Sequence, residues 1–277
     1  MIKNTLTLIR IKDWVKNIII FLPLIFSGNL SNVDMQLSLI FTFIIFSFTS
    51  TSIYILNDIV DLKDDQNHSI KKIRKPLAAE KLSINFAKFL LLFFTILVII
   101  LILYQPASLY FIIIYALINI SYSFFFKKIP FLEIVLICSG YLIRLEVGSH
   151  MIQVETSLLL MTSIFSLSCF VILIKRFVEI IYQDTHRKKQ LNYTKDILKK
   201  FIFLAAVIFL LSSLMFFILF NNYLLIIFPL LIFILFRYYK SSIDLNLGEF
   251  PIELVIKDKI LLLSCLLLLL FTIYIYY

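Results

Sequence analysis

Glycine, cysteine and charge are all scarce in this chain. With four glycines in 277 residues, it has no Walker loop and no Rossmann fingerprint, so the glycine-rich phosphate cradles of soluble nucleotide enzymes are excluded. No serine-hydrolase elbow occurs either. The three cysteines, Cys138, Cys169 and Cys265, stand singly in three apolar runs, which leaves no CxxC pair and makes packing their expected role. His68, His150 and His186 are widely separated and show no metal-ligand spacing. Charged residues make up 16% of the chain against 61% hydrophobic ones, and the mean hydropathy is +1.01. A soluble domain carries about a quarter charged residues, so composition excludes one, and with it nucleic-acid binding.

Apolar sequence is abundant instead, in runs of about 20 residues that can each cross ~30 Å of hydrocarbon as a helix satisfying its own backbone. Charged breaks divide the chain into roughly nine spans: 16–30, 36–56, 84–104, 107–126, 131–149, 157–181, 199–220, 222–239 and 258–276. The predicted fold is all-α, a polytopic membrane protein with a bundle of about nine transmembrane helices and a single domain over residues 1–277. The N-terminal MIKNTLTLIRIKDWVKN is basic and amphipathic and lacks a cleavage site, so it is expected on the membrane surface.

Alternate breaks hold 25 of the 26 Lys and Arg residues, and only Arg144 lies elsewhere. The positive-inside rule therefore puts the N-terminus and these breaks in the cytoplasm. The net charge of +9 is concentrated on that face, where it also attracts anionic membrane lipids.

Against this basic face stands NDIVDLKDD, residues 57–65. On a helix Asn57, Asp58, Asp61, Asp64 and Asp65 fall at about 0°, 100°, 40°, 340° and 80°, all within one arc of ~120°. Four carboxylates on one face repel one another unless a cation offsets their charge. Mg²⁺ does so through one or two carboxylates while keeping positions open for phosphate oxygens.

Asn57, Asp58, Asp61 and Asp65 match NDxxDxxxD, and in this the chain resembles the UbiA superfamily of intramembrane transferases. The resemblance implies nine helices around a central cavity. It implies that Asp58, Asp61 and Asp65 are catalytic residues holding Mg²⁺ on the diphosphate of a soluble donor, with Asn57 as a neutral partner. Most members move a prenyl group from a prenyl diphosphate and carry a second motif, DxxxD, near the end of the sixth helix. Here that region reads ILIKRFVEIIYQD, with Lys175, Arg176, Glu179 and Gln183 on one helical face. Two cations beside an acid suit a directly held anionic group, Glu179 either orienting Arg176 or supplying a metal ligand.

This KRxxE variant is similar to the decaprenyl-phosphate phosphoribosyltransferase branch. DWVKNIIIFLPLIFSG with Lys16, IPFLEIVLICSGYLIR ending in Arg144, FRYYK and PIELVIKDKILL resemble segments of that branch in the same order. The branch implies Mg²⁺-dependent transfer of a 5-phosphoribosyl group from phosphoribosyl pyrophosphate to a polyprenyl phosphate, in a bacterial-type inner or plasma membrane. The alternative is prenyl transfer from a prenyl diphosphate to an aromatic or other acceptor. Within HSIKKIRKPLAAEKLS, Lys71, Lys72, Arg74 and Lys75 line a polyanion entrance or serve lipid head groups, and either Arg74 or Lys75 occupies the phosphate position. Arg144, deep in an apolar span, is expected as a substrate ligand or as partner to an acid. Tyr122, Lys127 and Lys128 close the fourth span, where the two lysines serve topology first.

Overall fold

A computed structural model describes residues 2–67, 71–182 and 193–277. His68, Ser69, Gln183 and His186 lie outside these residues, as does the Lys71 side chain.

A short helix α1 (Ile2–Ile9) ends at Arg10, whose backbone is left-handed (φ 57°). There the chain turns into a 3-10 segment, Ile11–Phe21, followed by α2 (Leu22–Phe26) with Pro23 in its first turn. Gly28 at φ 73° makes the turn that follows. The Asn32 side chain caps α3 (Val33–Val60) by accepting from the Met35 N–H, with Asp34 in the first turn. Two short helices, α4 (Leu62–Gln66) and α5 (Lys71–Arg74), lead to α6 (Ile84–Tyr104). α7 (Leu109–Ser121) ends in a π turn, Tyr122–Phe126. α8 (Leu132–Met151), α9 (Leu158–Ile181), α10 (Lys195–Phe220), α11 (Phe228–Asp244), α12 (Pro251–Lys257) and α13 (Lys259–Tyr276) complete the chain.

Among the described residues seven helices are long and apolar enough to cross a membrane, and they coincide with seven of the expected spans. The other two differ in character. The first, around 16–30, is the 3-10 segment with the five-residue α2; the fifth, around 131–149, is α8, which carries Glu133, Arg144 and Glu146. Burial differs sharply between α3 and α6. α6 has a mean hydropathy of 3.0 with 22% of its span buried, whereas α3 has 2.0 with 56% buried. The most apolar helix, α6, therefore faces outward, while α3 turns Thr42, Ser47, Thr49 and Ser50 inward, away from lipid. Large side chains such as Leu103, Phe125 and Phe203 lie on the outside, each more than 70% exposed.

α8 is the shared helix of the bundle. Its Ile134, Cys138 and Leu145 pack with α9, α10 and α11, while Ile143 and Val147 pack with the 3-10 segment, α3 and α7. Gly148 permits the closest approach, because a Cβ there would lie 2.2 Å from the Ile20 carbonyl oxygen. α9 and α10 form the most extensive helix pair. Ser163 and Ser212 hydrogen-bond across it at 2.8 Å, small polar residues serving as interhelical contacts in the absence of a hydrophobic drive.

Candidate active site

The acidic arc survives a break in its helix. α3 ends at Asp61 (φ −85°, ψ 6°), yet the Asp61 N–H donates to the Asn57 carbonyl at 2.8 Å and the Asp65 N–H to the Asp61 carbonyl at 2.9 Å. The i to i−4 pattern thus crosses the junction, and Asp58 and Asp65, about two turns apart, remain on one side. Both are buried, at 3% and 2% exposure. Lys75 Nζ joins them, 2.8 Å from Asp58 Oδ1 and 2.5 Å from Asp65 Oδ2. Asp61 is half-buried and meets Lys127 Nζ at 2.6 Å. Asp64 is exposed, and Asn57 is half-buried at the end of α3.

Among the described residues no three His, Cys, Asp or Glu gather closely enough to hold a metal ion. Of the three expected ligands, Asp58 and Asp65 converge on one cation position, and Asp61 stands beside them with a separate partner. Two carboxylates sharing one cation fit Mg²⁺, which takes one or two carboxylates and fills its remaining positions with water or phosphate.

Three elements deliver the cations. The left-handed turn at Arg10 swings its guanidinium over the Tyr54 ring, 4.7 Å from the centroid, and against Asp58 Oδ1 at 2.6 Å. Lys75 opens a compact turn in which the Ala79 N–H donates to the Lys75 carbonyl, and buried Leu77 and Ala78 anchor it. Arg74 points elsewhere, stacking on Phe250 at 3.9 Å and lying 3.7 Å from Glu253. Between the two candidates for the phosphate position, Lys75 reaches the acids. The π turn before Lys127, closed by its N–H to the Tyr122 carbonyl, rotates that side chain onto Asp61.

On α9 the fork of Arg176 is fully engaged. Nε and Nη2 donate to the two oxygens of Glu133 at 2.6 and 3.0 Å, and Nη1 lies 2.8 Å from both oxygens of Glu179. All three side chains are buried. Glu179 thus orients Arg176, one of its two expected roles, and Arg176 itself ties α8 to α9. Lys175 is half-buried and acts electrostatically on Asp13. Burial alone would raise the Asp13 carboxyl, but Lys16 at 2.6 Å, with Arg10 and Lys175, holds it below the usual carboxylate range.

Arg144 is buried with neutral partners. Its Nε donates to Asn17 Oδ1 at 2.6 Å, Nη1 to the Gly140 carbonyl at 2.6 Å and Nη2 to the Tyr115 hydroxyl at 2.8 Å. Asn17 passes the network on to Ser47 at 2.9 Å. The expected acidic partner is not among these contacts. Tyr115 and Tyr141, with ring centroids 4.7 and 5.7 Å from the guanidinium, face the charge instead.

Sequence reasoning missed Arg10 and Glu133 and gave Lys127 mainly to topology. Glu133 had a readable signal, an acid within an apolar span that demands a partner. Arg10 had none, since it lies 48 residues from Asp58.

A model of the UbiA prenyltransferase family matches residues 18–247. Decaprenyl-phosphate phosphoribosyltransferase of Corynebacterium glutamicum is 28% identical over 271 residues, covering 91% of this chain and 80% of that protein. The protein of the same name from Mycobacterium tuberculosis is 24% identical, covering 72% of this chain and 68% of that protein. In fold the chain is similar to a UbiA homolog from Archaeoglobus fulgidus bound to DMAPP and Mg²⁺, with a TM-score of 0.68, 15% identity and 85% of each chain covered. It is also similar to a digeranylgeranylglyceryl phosphate synthase, with a TM-score of 0.64, 23% identity, and 99% of this chain and 98% of that one covered.

Proposed function

We propose, on the premise that this chain belongs to the UbiA prenyltransferase family, that it moves a 5-phosphoribosyl group from phosphoribosyl pyrophosphate to a polyprenyl phosphate such as decaprenyl phosphate. The observation that carries this reading is the Lys175-Arg176-x-x-Glu179 segment, which stands where most of the family has a second acidic pair and whose Arg176, engaged by Glu133 and Glu179, sets Lys175 at that position. The similarity to decaprenyl-phosphate phosphoribosyltransferases along 91% of the chain supports it.

In this reading Asp58 and Asp65 hold Mg²⁺, with Asp61 beside them, and the metal supplies charge neutralisation for the departing diphosphate. Lys75, Lys127 and Lys175 supply cations for phosphate oxygens, and Lys16 stands with Asp13 at the same end of the bundle. Arg176, saturated by Glu133 and Glu179, positions the Lys175 end of α9 rather than taking phosphate itself. The attacking oxygen of the lipid phosphate is already anionic, so no strong general base is needed. The residues work by holding two highly charged reactants together. The basic breaks put this end of the bundle, with the N-terminus, on the cytoplasmic side of an inner or plasma membrane.

Prenyl transfer from a prenyl diphosphate is the second reading, favoured by the Asp58 and Asp65 pair, which suits any diphosphate. Purified protein with Mg²⁺, a short polyprenyl phosphate and ribose-labelled phosphoribosyl pyrophosphate separates the two. Label entering the lipid phase, and lost with chelator or in Asp58→Asn, is the expected result. No lipid label from folded protein that transfers a prenyl group instead overturns it.

A further inference from the structure

The inward carboxylates of the acidic arc already hold cations of this chain. Asp58 Oδ1 accepts from Arg10 at 2.6 Å and Lys75 at 2.8 Å, Asp65 Oδ2 from Lys75 at 2.5 Å, and Asp61 Oδ1 from Lys127 at 2.6 Å. A divalent ion arriving alone has to displace Lys75 from both oxygens that it bridges. It then leaves an ammonium and a guanidinium beside the metal, at a place where Asp58 and Asp65 are almost wholly buried. Repulsion between such charges is strong where water is scarce. A diphosphate reverses the balance, because its oxygens accept from the donors that the metal displaces.

We propose that the Asp58 and Asp65 site takes a divalent cation much more tightly with a diphosphate than alone, Lys75 and Arg10 passing from the carboxylates to phosphate oxygens as the metal takes their place. The proposal rests on the metal-diphosphate reading above and adds a coupling to it: metal and diphosphate raise each other's affinity by the same factor. Lys75 suits such an exchange. Its ammonium is a point charge on a flexible stem, its side chain is 23% exposed, and its backbone is fixed by the turn that buries Leu77 and Ala78. Only the side chain has to move. Arg10 approaches from a separate segment, with a side chain 28% exposed, so its release from Asp58 leaves α3 undisturbed.

The test counts bound Mn²⁺ by electron paramagnetic resonance on the full chain in detergent, with inorganic pyrophosphate as the diphosphate. Wild-type protein is expected to bind Mn²⁺ about tenfold or more tightly once pyrophosphate is present. Lys75→Gln should bind Mn²⁺ alone about tenfold more tightly than wild type and gain little from pyrophosphate; Arg10→Gln should shift the same way. Equal Mn²⁺ affinity in wild-type protein with and without pyrophosphate overturns the proposal, as does Lys75→Gln binding Mn²⁺ no more tightly than wild type. If Lys75→Gln does not fold, Arg10→Gln and the pyrophosphate dependence of wild-type protein decide. Mn²⁺ binding with pyrophosphate that survives in both Asp58→Asn and Asp65→Asn removes the metal placement and the proposal with it. Coupled binding in a protein that fails to transfer phosphoribosyl groups overturns the substrate assignment and leaves the exchange standing.

Discussion

Replacing Arg176 by methionine tests the joint between α8 and α9. In the native protein Arg176 neutralises Glu133 through two hydrogen bonds and Glu179 through two more, with the three side chains 3%, 0% and 7% exposed. Methionine keeps much of the volume but leaves both acids without their shared guanidinium. Removing one partner of a buried ion pair costs about 3–5 kcal/mol. At about 2–4 °C per kcal/mol for a chain of this size, the apparent Tm should fall by roughly 6–20 °C. Glu179→Gln is the control. It keeps the two bonds to Glu133 and offers Nη1 a neutral acceptor, so it should cost about 0.5–1.5 kcal/mol. Thermal unfolding in detergent, followed by far-UV circular dichroism, measures both. An Arg176→Met variant unfolding within ~2 °C of wild type, or no earlier than Glu179→Gln, refutes the argument that this guanidinium ties the two helices. If Arg176 were chiefly a phosphate ligand, activity would vanish at unchanged Tm.

Gly148→Ala places a Cβ 2.2 Å from the Ile20 carbonyl oxygen and must push α8 away from the 3-10 segment; a loss of about 1–3 kcal/mol is expected, read as a lower apparent Tm. Arg144→Lys keeps the charge but cannot span Asn17, the Gly140 carbonyl and the Tyr115 hydroxyl together. It should cost about 1–3 kcal/mol in the same thermal assay, and an unchanged Tm would show that the fork geometry is dispensable.

Hydropathy made the long helices legible because lipid imposes one requirement on each span, enough apolar length to satisfy its own backbone. The segment Ile11–Phe21 was the least readable, since nothing in its local pattern marks the 3-10 geometry in which it approaches α8 at Gly148. The acidic arc was readable because Asp58 and Asp65 share a helical face, and it held although α3 breaks at Asp61. What the pattern could not supply was the partner of each charge. Arg10 reaches Asp58 across 48 residues, Lys127 reaches Asp61 across 66 and Arg176 reaches Glu133 across 43, and only folding sets such pairings. Arg144 illustrates the same limit: its depth signalled a polar environment, while its neutral partners came from three different segments.

The length of α3 has a further consequence. Its 28 residues span about 42 Å at ~1.5 Å per residue, and about 39 Å along the membrane normal at a typical tilt of ~20°. The hydrocarbon layer is only ~30 Å thick. Asp58, in the last turn of the helix, therefore lies near the edge of the oily interior and not at its middle. The helix acts as a depth gauge: its length holds the carboxylates of its last turn at the membrane boundary, within reach of charged groups dissolved in water.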